Sequence, residues 1–168
     1  RRRGRLRHGA RGGRHLVVRD LTTGDGQSLT SGQQACFGPD GAVWYVTIEN
    51  VFGRVTPAGE VTFVGSKVLE DFGFPTSITA GPAGNLWFTT FAGGVGRITP
   101  SGEVAMFETS TAGVAFAAHI VAGPDGNLWF TNAGNDSVGR ITPSGEITTY
   151  AGSAAGVIAR LYRGRSAL

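Results

Sequence analysis

Few residues of this chain combine a reactive type with a suggestive position. His119 and Asn132 are the one pair placed to bring an imidazole and an amide oxygen together near a channel mouth. As a general base the imidazole would need a partner to orient it. A metal would want carboxylate oxygens, which an asparagine replaces poorly. The plainer reading is a strand-entry histidine without chemistry, because functional constellations need several converging groups. Cys36 is the single cysteine, so it permits no intrachain disulfide and no cysteine-based zinc site, and it reads as a small buried hydrophobe. Asn135-Asp136-Ser137 matches a glycosylation sequon, a short motif that carries weight only with a secretory route.

The remaining candidates recur. Arg54, Arg97 and Arg140 each stand six residues before a glutamate: Glu60, Glu103 and Glu146. A turn between the two brings them near one another across a hairpin, where an ion pair would contribute about 0.2–1 kcal/mol. Trp44, Trp87 and Trp129 are spaced 43 and 42 residues apart. Recurrence in every repeat argues for architecture, since a substrate site would break the symmetry. Packing is therefore the expected role of the tryptophans, with an aromatic binding ring as the alternative.

The elements that position these residues follow from the repeat. Gly38-Pro39-Asp40-Gly41-Ala42-Val43-Trp44-Tyr45 returns as Gly81-Pro82-Ala83-Gly84-Asn85-Leu86-Trp87-Phe88 and as Gly123-Pro124-Asp125-Gly126-Asn127-Leu128-Trp129-Phe130. A second block follows each time, as in Gly96-Arg97-Ile98-Thr99-Pro100-Ser101-Gly102-Glu103. Each unit reads as four short strands separated by turns in which Pro sets φ and Gly accepts a positive φ. Leu86 and Phe88 face one side of the second strand and Trp87 the other, so the sheet is apolar on both faces. That pattern predicts an all-β fold: a partial β-propeller of about three four-stranded blades over residues 15–150. Residues 15–21 read as the outer strand of a preceding blade. Residues 1–14 read as an Arg-rich disordered tail, and 151–168 as a degenerate or disordered segment. Three blades do not close a ring, so the chain is expected to be a piece of a larger propeller or to self-associate through open apolar blade faces.

The paired blocks, Ala-Gly-Pro-Asp-Gly-Asn-Leu-Trp-Phe-Thr and Gly-Arg-Ile-Thr-Pro-Ser-Gly-Glu, resemble the repeats of the virginiamycin B (streptogramin B) lyases over roughly residues 33–150. NHL-repeat propellers share the Pro-Asp-Gly-Asn hairpin but lack the second turn. The resemblance implies a bacterial seven-bladed propeller with a role in antibiotic resistance. It also implies magnesium as cofactor and a cyclic depsipeptide as substrate, linearised by elimination at its ester bond. It places a catalytic His in a Pro-His-x-Ile segment and a Glu after Trp-Phe-Thr. Here Pro75-Thr76-Ser77-Ile78 has Thr at the His position, and in Ala117-Ala118-His119-Ile120 the His falls one place late. The Glu position holds Thr47, Thr90 and Asn132. On a regular strand the one-residue slip would send His119 to the opposite face. The alternative function is a non-catalytic, NHL-like module that binds a protein ligand through segments 66–76 and 109–118, which vary most between repeats.

Charge narrows the partners. The net charge is +3, yet eight arginines fall within the first 20 residues, and residues 21–150 hold eleven carboxylates against four basic side chains. A propeller body of that sign is a poor nucleic-acid surface, and the Arg-rich start has no aromatic residue for base stacking. No apolar run approaches the roughly 20 residues of a membrane helix. The basic start is not followed by the apolar segment of a signal peptide.

Overall fold

The computed structural model describes residues 34–47, 50–65, 69–107 and 109–151. The expected tail at 1–14, the leading strand at 15–21 and the segment after Ala151 lie outside the described residues. Within them, twelve strands form three antiparallel sheets, each in chain order. Blade 1 comprises β1 (Ala35–Phe37), β2 (Val43–Val46), β3 (Val51–Val55) and β4 (Val61–Gly65). Blade 2 comprises β5 (Pro75–Ala80), β6 (Leu86–Thr90), β7 (Val95–Ile98) and β8 (Val104–Phe107). Blade 3 comprises β9 (Ala117–Ala122), β10 (Leu128–Asn132), β11 (Ser137–Ile141) and β12 (Ile147–Ala151). The first strands β1, β5 and β9 pack side by side, which makes them the inner strands of a partial β-propeller.

Blade packing follows the two-faced pattern of the second strand. Trp44, Val46 and Phe52 of blade 1 share a buried cluster with Ile78, Leu86, Phe88 and Ile98 of blade 2, and Phe52 meets Phe88 edge-on at 4.8 Å. Trp87 and Val95, on the other face of blade 2, cluster with Ile120, Leu128, Phe130 and Ile141 of blade 3. Trp44 and Trp87 thus each sit under the following blade and are only 1% exposed.

The motif glycines are close-approach positions. Tyr45, Phe88 and Phe130 lie directly across from Gly53, Gly96 and Gly139. A Cβ on any of these three glycines would run into the facing ring, so the ring lies flat over bare backbone.

The structure corrects the expected Arg–Glu ion pairs. The register sets Thr62, Ala105 and Thr148 opposite the three arginines, one diagonal step from the glutamates. Arg54 bonds Asp40 at 2.7 Å instead and lies over the Trp44 ring. Among the described residues Arg97 and Arg140 make no ion pair with Glu103 or Glu146. Their guanidinium groups lie over Phe107 and Tyr150, each 5.9 Å from the ring centroid. Those rings stack in turn on Trp87 and Trp129. The glutamate contributes its backbone: the Glu103 N–H donates to Thr99 Oγ1 and its carbonyl accepts from the Thr99 N–H, closing the outer turn.

The aspartate of the Gly-Pro-Asp-Gly turn is an acceptor for the tryptophan. The Trp44 indole N–H donates to Asp40 at 3.3 Å, and that of Trp129 to Asp125 at 3.2 Å. Blade 2 has Ala83 in this place. There the Trp87 indole nitrogen is buried without a partner, and Ala83 is held at φ 56°, a left-handed conformation that aspartate tolerates better than alanine. Ala83→Asp is therefore expected to raise stability by about 1 kcal/mol, seen as a rise of a few degrees in Tm, while Asp125→Ala lowers Tm.

Hydrogen bonding also sets an acid limit. Partial burial raises the Asp40 carboxyl, but bonds from Arg54, the Ala42 N–H and Trp44 outweigh it and hold the group below its ordinary value. The Asn127 side chain, with Trp129, does the same for Asp125. Both groups therefore favour the fold fully above the unfolded carboxylate value near 3.9, and that contribution disappears as pH falls through the lower folded values. Thermal melts between pH 6 and pH 2 should show Tm dropping below about pH 4, with a shallower drop in Asp125→Asn.

Candidate functional site

The two ends of the sheets differ. One end carries the Gly-Pro turns and the Thr-Pro turns, nearly the same in each blade. The other end gathers the β2–β3, β6–β7 and β10–β11 loops and the segments that join blades, where the repeats diverge. Thr47, Thr90 and Asn132 stand at this divergent end.

Asn132 is fully buried, and all of its side chain is engaged. Its Oδ1 accepts from the N–H groups of Ala115 at 2.9 Å and Phe116 at 3.2 Å. Its Nδ2 donates to the Gly113 carbonyl at 3.0 Å and to Ser137 Oγ at 2.9 Å. None of these partners is His119. The asparagine therefore pins the segment entering blade 3, and Asn135 adds a second bond to the same Gly113 carbonyl. Thr90 has a smaller version of the role, with Oγ1 accepting from the Gly94 N–H at 2.9 Å.

His119 is half-buried on β9, with its backbone N–H donating to Thr131 Oγ1. The strand entries are irregular in both blades. Pro75 pairs Thr90 while Ser77 pairs Thr89, and Ala117 pairs Asn132 while Ile120 pairs Phe130. The inner strand thus carries an extra residue at its start, and simple alternation does not apply across the bulge. What occupies this region between blades is a polar seam that sequence reading missed. Gln34 Oε1 accepts from the Ile78 N–H at 3.0 Å, and Ser77 Oγ from the Ile120 N–H at 3.1 Å. Gln34, Ser77 and His119 each stand four residues before the glycine of their Gly-Pro turn, Gly38, Gly81 and Gly123, so the series was readable in the repeat. Thr76 and Thr89 extend the seam by donating to the carbonyls of Ala117 and Ala118.

The divergent end also exposes an aromatic cluster. Phe91, 57% exposed, stacks on Phe74 with centroids 5.1 Å apart and meets Phe116 edge-on at 5.5 Å. Phe74 and Phe116 occupy equivalent places just before β5 and β9. The backbone fixes the arrangement, with the Phe91 N–H donating to the Phe74 carbonyl and the Ala133 N–H to that of Phe116. A surface of this kind presents flat apolar area to a ring or a branched apolar group.

The described residues offer no donor set for magnesium, which takes several oxygen ligands, carboxylates among them. Among the described residues no three His, Cys, Asp or Glu side chains converge, and the Asn132 oxygen is already held by two N–H groups. Cys36 is chemically quiet: burial pushes its thiol up to about 11 against a smaller opposing backbone hydrogen bond from Ala80. At neutral pH it is a thiol and not a nucleophilic thiolate.

The Asn132 hub yields a direct test. Asn132→Ala leaves the Ala115 and Phe116 N–H groups without partners, which should cost about 1–3 kcal/mol. Hydrogen exchange should accelerate first at residues 113–116 while the Gly-Pro turns stay protected.

The family model described as the virginiamycin B lyase family matches residues 17–158. Comparison with curated proteins found no match. Among solved structures the chain is similar to selenomethionine-substituted virginiamycin B lyase from Staphylococcus aureus, with 31% identity and a TM-score of 0.66 over 79% of this chain and 47% of that one. It is similar to a catalytically inactive histidine-to-alanine variant of the S. aureus enzyme with quinupristin, with 32% identity, a TM-score of 0.65 and the same coverage of 79% and 47%. A streptogramin B lyase structure matches with 30% identity and a TM-score of 0.62 over 76% of this chain and 45% of that one. The chain thus spans about half the length of the structures it matches. With a family model running through all three blades, the chain belongs to the virginiamycin B lyase family.

Proposed function

We propose that this protein binds a cyclic depsipeptide of the streptogramin B class at the divergent end of its blades, and that the described residues supply binding surface for a lyase-type propeller. The observation that carries the reading is the exposed Phe91 ring braced by Phe74 and Phe116, at the end where the repeats differ most. A cyclic peptide with aromatic and apolar side chains offers matching flat area, and desolvating such surface drives association. Family membership and the likeness to a lyase structure with quinupristin support the choice of ligand class.

The described residues are a weak basis for the elimination itself. Breaking the ester by elimination requires a base to take a proton and a group to stabilise the departing carboxylate. His119 is the one imidazole among the described residues. Thr47, Thr90 and Asn132 replace the carboxylate that the family pattern sets after Trp-Phe-Thr. The ring-opening chemistry is therefore assigned to a blade with its own His and Glu, outside the described residues.

Calorimetric titration with a streptogramin B, paired with a chromatographic ring-opening assay with and without magnesium, tests both parts. The expected outcome is saturable binding without ring opening, weakened about tenfold by Phe91→Ala, a change of roughly 1.4 kcal/mol. Because Phe91 is largely exposed, its replacement should leave Tm nearly unchanged. Absence of binding, or binding indifferent to Phe91→Ala, would favour the non-catalytic protein-binding module. Magnesium-dependent ring opening by this chain would refute the division of roles.

A further inference from the structure

The aromatic surface at the divergent end comes from two blades, and its two parts are held in different ways. Phe74 and Phe91 belong to blade 2, where the Phe91 N–H donates to the Phe74 carbonyl at 3.0 Å and the rings stack. Phe116 comes from the segment entering blade 3 and meets Phe91 edge-on across the blade boundary. Its backbone is bonded on both sides. The Phe116 carbonyl accepts from the Ala133 N–H at 2.8 Å, and its N–H donates to Asn132 Oδ1 at 3.2 Å. The same oxygen takes the Ala115 N–H. The Ala115–Phe116 peptide also lies between two loops that approach it through glycine. A Cβ on Gly134 would stand 2.6 Å from the Ala115 Cβ, and one on Gly93 3.0 Å from the Ala115 carbonyl oxygen.

Asn132 stands where the family pattern sets a carboxylate, and an ionised carboxylate could not make its bonds. Nδ2 donates to the Gly113 carbonyl and to Ser137 Oγ, and a carboxylate has no proton to give. Ser137 cannot supply one, because its hydroxyl donates to Asn135 Oδ1. Thr90, the blade 2 counterpart, serves its own loop by accepting from the Gly94 N–H.

We propose that Asn132 is a positioning residue for ligand binding: its amide sets Phe116 against Phe91 and so extends the recognition surface from blade 2 onto blade 3. The proposal rests on the reading that this cluster receives a streptogramin B. Asn132 is fully buried, so it acts through Phe116 and not by touching the ligand. With the amide in place the surface is preformed, and little ordering of residues 113–116 remains to oppose association.

Asn132→Thr is the decisive variant, because blade 2 folds with Thr90 at the same place. Nuclear Overhauser contacts between the Phe91 and Phe116 ring protons, recorded on the full chain without ligand, should be present in the wild type and weakened or lost in Asn132→Thr. Calorimetric titration with a streptogramin B should show affinity lowered roughly threefold to tenfold, the scale of one edge-to-face aromatic contact. Both are read well below Tm, where a role in stability alone would leave them unchanged. Phe116→Ala should weaken binding to a similar degree, and adding Asn132→Thr to it should weaken binding no further. Should Asn132→Thr unfold, Asn132→Ser is read in the same way. A ring contact that persists in Asn132→Thr, or a double variant whose losses simply add, would overturn the proposal. A wild-type chain that binds no streptogramin B would overturn the ligand assigned above, and the ring contact would then still decide the role of Asn132.

Discussion

A sheet that is apolar on both faces can exist in water only between neighbours, and each blade of this protein is such a sheet. Trp87 shows the dependence most directly. Its indole is closed over by Leu128, Phe130 and Ile141 of the following blade, while its own strand lies on the cluster around Trp44. Nothing within one blade could bury that ring, so stability belongs to the stack. The rest of the design serves close contact between sheets. Glycines opposite Phe88 and Phe130 let those rings lie flat, and the arginines opposite the tryptophans fold over aromatic faces.

The period of the sequence carried most of the architecture. Blade number, strand order and the opposite facing of Leu86 and Trp87 all follow from the repeat and the alternation of a strand. The arginine–glutamate pairing did not, because spacing along a hairpin does not specify register. One diagonal step puts Thr62 rather than Glu60 opposite Arg54. The site was less legible still. His119 and Asn132 are close in the repeat scheme, but a bulge at the start of the inner strand breaks the alternation from which facing is read. Asn132 proves to be wholly engaged in holding residues 113–116. The cluster of Phe74, Phe91 and Phe116 depends on loops meeting in space, and only the equivalence of Phe74 and Phe116 was visible in one dimension.

The two ends of the blades answer to different demands. At the Gly-Pro end, an aspartate completes both the turn and the tryptophan indole, so change there disturbs the core directly. Blade 2 illustrates this: Ala83 leaves Trp87 without an acceptor and takes a left-handed backbone conformation. At the divergent end, Thr47, Thr90 and Asn132 fasten neighbouring loops by different bonds, so residues there can vary while the blade survives. A scaffold organised this way separates the surface that recognises a ligand from the contacts that keep the sheets together.

The polar seam between inner strands has a consequence in time. In both cases the acceptor side chain belongs to the earlier blade and the donating N–H to the later one: Gln34 receives Ile78, and Ser77 receives Ile120. During synthesis the acceptor therefore leaves the ribosome first and waits for a strand not yet made. Each inner strand thus carries the acceptor that the next blade's strand must meet, and the seam gives the stack a direction along the chain.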